Sequence, residues 1–96
     1  MLNELQLSAR IAQVLPLRYT PAGLPALDVM LEHEADVTDA GVPRRVKLSL
    51  RGLAFGTQAE TLVRADLAAQ WLFKGFVAQA RNGKGVVFHI QDIQRI

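Results

Sequence analysis

Cysteine is missing from the 96-residue chain. Disulfide staples, thiolate nucleophiles and thiolate metal sites are therefore excluded together, and the absence fits a reducing compartment such as the cytoplasm. Long apolar runs are missing too. No stretch approaches the roughly 18 residues needed to span a bilayer. The opening Met1-Leu2-Asn3-Glu4-Leu5-Gln6-Leu7 has no basic segment ahead of an unbroken apolar one, so no signal peptide is expected. Aromatic side chains are scarce, with one Trp, one Tyr and four Phe. An excess of charge is lacking as well: 11 Lys and Arg face 9 Asp and Glu for a formal +2, a bias that alone does not argue for nucleic acid. The two histidines, His33 and His89, fall on different strands without metal-ligand spacing. No P-loop or nucleophile elbow occurs, and Gly83-Lys84-Gly85 opens no helix that could cradle a phosphate. Catalysis is rejected on these grounds, and no cofactor, metal or small-molecule substrate is expected.

What is present is a period of two over one short domain spanning residues 1–96. Leu5, Leu7, Ala9 and Ile11 alternate with Gln6, Ser8 and Arg10, giving a strand with one buried face. Tyr19 to Pro25, with two prolines and a glycine, predicts a loop. Leu27, Val29 and Leu31 resume the alternation, and polar Glu34 to Pro43 predicts a second loop. Val46, Leu48 and Leu50 interleave with Arg45, Lys47, Ser49 and Arg51 on a third strand. Gly52 and Gly56 predict a bend or bulge after it. Residues 57–70 change character: Thr57 with Glu60 has capping-box spacing ahead of good helix formers, with Leu62, Val63 and Leu67 as a narrow apolar stripe. Trp71 to Ala80 predicts a strand bent at Gly75, Arg81 to Gly85 a hairpin turn and Val86 to Ile96 its partner. Five strands with a helical connector between the third and fourth is the order of the all-β OB-fold barrel. An SH3-like barrel offers no place for the connector.

Charge is strongly segregated. Asp28, Glu32, Glu34, Asp36 and Asp39 form an acidic block without Lys or Arg, whereas Arg44, Arg45, Lys47 and Arg51 form a basic one without Asp or Glu. Lys74, Arg81 and Lys84 add a second basic set. Arg45, Lys47 and Arg51 share one strand face, where their fields would sum toward a phosphate chain. The plain alternative weighs equally: outward strand residues must be polar, and Lys or Arg also blunt edge pairing. Single-strand binding needs stacking rings as well. Phe73, Phe76 and Phe88 are expected in the core. Trp71 fits core or surface, and Tyr19, beside Arg18 in a Pro/Gly loop, is the best stacking candidate, although a loop tyrosine covering a barrel end is as common. Both histidines are expected to be ordinary strand residues.

Asn3 to Ala9, Pro16-Leu17-Arg18, Pro21-Ala22-Gly23-Leu24-Pro25, Val29-Met30-Leu31-Glu32-His33, Gly41, Arg44, Gly75-Phe76 and Asn82-Gly83 together resemble the primosomal replication protein N (PriB) family over nearly the whole chain. The P-x-G-[LI]-P loop followed by a strand ending L-E-H is the most specific part. The resemblance implies an SSB-like OB-fold homodimer whose first strand, Leu5 to Ile11, forms the dimer seam. It also implies binding of single-stranded DNA, stabilisation of the restart helicase PriA at stalled forks, and onward transfer through DnaT. The candidate DNA-binding residues are Arg18, Tyr19, Arg44, Arg45, Lys47, Arg51, Arg81 and Lys84. Departures from the family pattern are Lys47 in place of a tryptophan, Glu34 in place of a base and Val42 in place of an aromatic. They imply weaker binding with a larger electrostatic share. Two other readings stay open: a protein-interaction adaptor with incidental nucleic-acid binding, and an RNA-binding OB protein.

Overall fold

The computed structural model describes residues 1–96. Strands β1 (Leu5–Val14), β3 (Pro25–Asp39), β4 (Val42–Phe55), β5 (Gln70–Gln79) and β6 (Val86–Arg95) build the barrel, with the helix α1 (Thr57–Val63) between β4 and β5. A two-residue strand, β2 (Arg18–Tyr19), lies within the first connection and pairs with the start of β3. The strand order β1-β5-β6-β4-β3 closes on itself because β1 also pairs with β3. Closure removes most of the open edge that a flat sheet of this size would present. The expected five-stranded OB-fold barrel with a short helical connector is the architecture found. No helix is long and apolar enough to cross a membrane.

The period of two decides which side chains enter the barrel. Leu27, Val29 and Leu31 of β3 point inward with Ile11 of β1, Phe73 of β5 and Phe88 of β6, and all six are fully buried. At roughly 1.5–3 kcal/mol per large apolar side chain, this cluster is the main stabilising element. Helix α1 closes one end of it by burying Ala59 and Leu62.

Three local expectations are corrected. The polar stretch 34–43 is not a loop. β3 and β4 stay paired out to Asp39 and Val42, and the reversal occupies only Ala40 and Gly41, both at positive φ as a two-residue hairpin turn requires. The stretch is polar because the hairpin leaves the barrel and becomes an arm in solvent, which gives the molecule a long dimension of 49 Å against 31 and 21 Å. The N-cap of α1 is Gly56 and not Thr57, with no side-chain cap, and the helix ends at Val63. Asp66 takes over beyond it, accepting from the Ala68 backbone N–H and the Trp71 indole. That turn exposes Val63 and Leu67, so only Leu62 of the expected stripe is buried. Between Gly52 and Phe55 there is no bulge, since β3 and β4 pair without a break. Instead, Gly52 to Ala54 take β6 as a parallel neighbour on the other side.

The bend expected at Gly75 is real and has a steric cause. A Cβ at Gly75 would lie 1.8 Å from the backbone oxygen of His89. Lys74 faces Asp92 while Gly75 faces Ile90, so Gln91 is the extra residue of a β-bulge. The shift of one residue makes Phe76 the partner of His89.

Candidate nucleic-acid interface

Arg45, Lys47 and Arg51 do lie on one face of β4, the face turned away from the core. The antiparallel register gives the same face to the acids of β3, since Asp36 stands opposite Arg45 and Glu34 opposite Lys47. Arg45 donates to both carboxylate oxygens of Asp36 at 3.1 and 3.2 Å and to Glu34 at 2.6 Å. The Lys47 Nζ is 3.9 Å from Glu34, and the Arg44 Nε is 3.3 Å from Asp39. Hydrogen bonds from Arg45 to Asp36, then to Glu34, hold its guanidinium above the usual arginine range. The unopposed basic row expected from the sequence is therefore absent. The acidic and basic blocks are the two legs of one hairpin, and three acids on the arm balance three bases.

The other end of β4 differs. Arg51, Leu53 and Phe55 continue the outward face into a groove of about 820 Å³, bounded by Arg18, Tyr19 and Pro21 on one side and Arg81 and Asn82 on the other. Asp28 lies at its floor with its side chain 9% exposed. Arg18 Nε donates to one Asp28 oxygen at 3.1 Å and Arg51 Nη2 to the other at 3.0 Å. A nearly buried carboxylate with charged donors on both oxygens holds two long side chains in place. Both arginine side chains remain about half exposed. With Arg81, the groove carries three bases against one acid.

The structure thus sorts the candidate residues. Arg18, Tyr19, Arg51 and Arg81 converge on the groove. Arg44, Arg45 and Lys47 lie on the ion-paired arm. Lys84 is exposed in the β5–β6 turn, where its backbone N–H donates to Asn82 Oδ1. Tyr19 is 65% exposed and does not cover the barrel end.

Phe76 is the aromatic residue whose expected place is wrong. Phe73 and Phe88 are buried, but Phe76 is only half-buried and stacks on His89 outside the core, with ring centroids 4.7 Å apart and planes 10° apart. Phe55 stands 6.2 Å from the other side of the pair. The sequence signal is the spacing: Phe76 stands three residues after Phe73, so alternation along β5 turns it to the opposite, outer face, and the apolar character of the whole run masks this. His33 is half-buried, with Nδ1 2.6 Å from the backbone oxygen of Ser8.

A closed five-stranded barrel with a basic groove between its first long connection and its last hairpin defines the class of small OB-fold proteins to which the single-strand-binding proteins belong. Residues 3–92 match the model described as another single-strand binding protein family. Replication restart protein PriB of Bordetella pertussis is 43% identical over 96 residues, covering 99% of this chain and 90% of that protein. Replication restart protein PriB of Neisseria meningitidis is 35% identical over 101 residues, covering 96% and 92%. Among solved structures, PriB from Ralstonia solanacearum superposes with a TM-score of 0.89 at 33% identity, covering 99% of this chain and 98% of that one. The single-stranded DNA binding protein from Thermus aquaticus gives 0.77 at 25% identity, covering 99% of this chain and 50% of its own. The chain belongs to the PriB family of replication restart proteins.

Proposed function

We propose that this protein binds single-stranded DNA during replication restart, with the strand lying in the groove between Arg18 and Arg81. One observation carries this reading: half-exposed arginines fixed by Asp28 rim an apolar surface at the place where OB-folds take up oligonucleotides. The PriB relatives support the restart role. The finer reading is an accessory that stabilises the helicase PriA at stalled forks and passes the complex on through DnaT, acting in the cytoplasm as a homodimer. The seam follows β1, because Leu5 to Ala9 pair with β5 along one edge and the pairing with β3 along the other begins only at Arg10. Lys84 extends the DNA path past Arg81. Arg44, Arg45 and Lys47 join it only by exchanging carboxylate partners for phosphates.

Titration with oligo(dT) at several salt concentrations tests the reading. Binding should weaken steeply as salt rises, and Arg51→Gln or Arg81→Gln should each reduce the log–log salt slope by about 0.7. Absence of binding at low salt would overturn it. The adaptor reading is favoured by the arm, whose alternating exposed charges match a protein partner better than a uniformly negative strand. Under that reading, charge reversal at Arg45 abolishes helicase binding and leaves DNA binding intact.

A further inference from the structure

The arm has a strand edge that nothing in the fold covers. On one side β4 pairs with β3 from Val42 to Phe55. On the other, β6 reaches only Gly52 to Ala54. Alternate residues from Val42 to Arg51 therefore turn their backbone N–H and C=O groups to solvent, over about 33 Å at the usual strand rise. The opposite edge of the arm, β3 beyond Glu32, lies on the side of β1 that the dimer seam would use. The β4 edge stays open in such a dimer. Its two faces differ in chemistry. Val46, Leu48 and Leu50 point to one face, and Leu48 is 38% exposed. Lys47 and Arg51 point to the other, with side chains 68% and 52% exposed.

We infer that this edge docks an extended segment of a partner protein in which acidic and apolar residues alternate, added as a strand beside β4. Distance decides the sign of the charge it meets. An added strand lies about 4.8 Å from β4 and about 9.6 Å from β3. It touches the bases of β4, while the acids of β3 stand beyond a Debye length of roughly 8 Å at physiological salt. Arg45 is drawn toward β3 by Asp36 and Glu34, so Lys47 is the principal anchor; its only carboxylate neighbour is Glu34, at 3.9 Å. A second copy fits badly, because β4 beside another β4 sets bases against bases, and like charges directly opposite are destabilising. Nucleic acid fits badly too, since it has no row of backbone amides and no apolar side for Val46 and Leu48. The edge is also separate from the groove, whose lining includes Arg51 but no residue from Val42 to Leu50. Docking here goes beyond the single-strand reading and does not depend on it.

The experiment titrates the full chain with a synthetic peptide of alternating glutamate and valine, about eight residues long, as strands commonly are. A peptide of the same composition in two blocks is the control. Fluorescence anisotropy reads binding, and amide hydrogen exchange reads its place. The alternating peptide should bind and slow exchange at alternate amides between Val42 and Arg51, and the block peptide should do neither. Methylating the peptide's backbone nitrogens at alternate positions should abolish binding in one parity and spare it in the other, because only one row of a strand faces its neighbour. Lys47→Glu should weaken the alternating peptide about fivefold. No binding by the alternating peptide overturns the proposal, as does equal binding by both methylated forms or by the block peptide. Slow exchange of the same amides in the free protein would put a second copy on the edge and overturn the partner. Displacement of the peptide by oligo(dT) would put it in the groove and overturn the edge assignment.

Discussion

The arm and the groove both carry arginine–carboxylate pairs on the same strand, yet only one has the surroundings of a binding site. On the arm, Arg45 and its partners Glu34 and Asp36 are all more than half exposed. Such pairs contribute little to stability and are screened by salt. They also balance, leaving no surplus field for a phosphate. In the groove, one nearly buried carboxylate is shared by two arginines and a third base stands across from it, so positive charge is in excess beside apolar surface. A hydrogen bond between charged groups therefore does not identify function. Its surroundings do: burial, the balance of charge and what lies next to it.

Four substitutions, with Asp36→Asn as a control, test that contrast in decreasing order of effect. Gly75→Ala should unfold the barrel or lower its melting temperature severely, because the added Cβ would overlap the His89 backbone oxygen. Backbone overlaps of this kind belong to the changes that cost more than about 4 kcal/mol, and thermal unfolding followed by circular dichroism reads the result. Asp28→Asn keeps the shape and removes the charge that holds Arg18 and Arg51. It should destabilise the fold by about 1–3 kcal/mol in urea titration, whereas Asp36→Asn on the arm should leave the urea midpoint unchanged. Equal effects of the two would erase the distinction between the regions. Glu34→Gln releases Lys47 and one of the contacts of Arg45. It should raise oligo(dT) affinity a few-fold and steepen its salt dependence. Lys47→Glu should have the smallest effect, a loss of less than about threefold in oligo(dT) affinity if the arm lies off the main path. A loss as large as that from Arg51→Gln would move the interface onto the arm.

Much of the barrel could be read directly from the chain, because inward and outward residues alternate wherever one face meets the core and the other meets water. Alternation carries no information where that contrast vanishes. Glu34 to Asp39 keep the alternation with Ala35 and Val37, but the strand has left the barrel, and its many polar residues resemble a loop. Along β5 most residues are apolar on both faces, so the contrast that would set Phe76 apart from Phe73 is missing. The alanine-rich stretch after Val63 has high helix propensity, but the chain must turn there to enter β5, and Asp66 and Trp71 lock the turn. Of the residues that line the groove, Arg18, Tyr19, Arg51 and Arg81 are identifiable by type and neighbourhood. Phe55 and His89 are not.

The linear order of residues settled the strand count, the place of the helical connector, the absence of thiol chemistry and the family resemblance, since each depends on composition or local spacing. Which charges cancel was decided by the register of β3 against β4, and the meeting of His89 with Phe76 by the bulge opposite Gly75. Electrostatic fields and stacking depend on distances between residues far apart along the chain, and those distances exist only once the barrel closes.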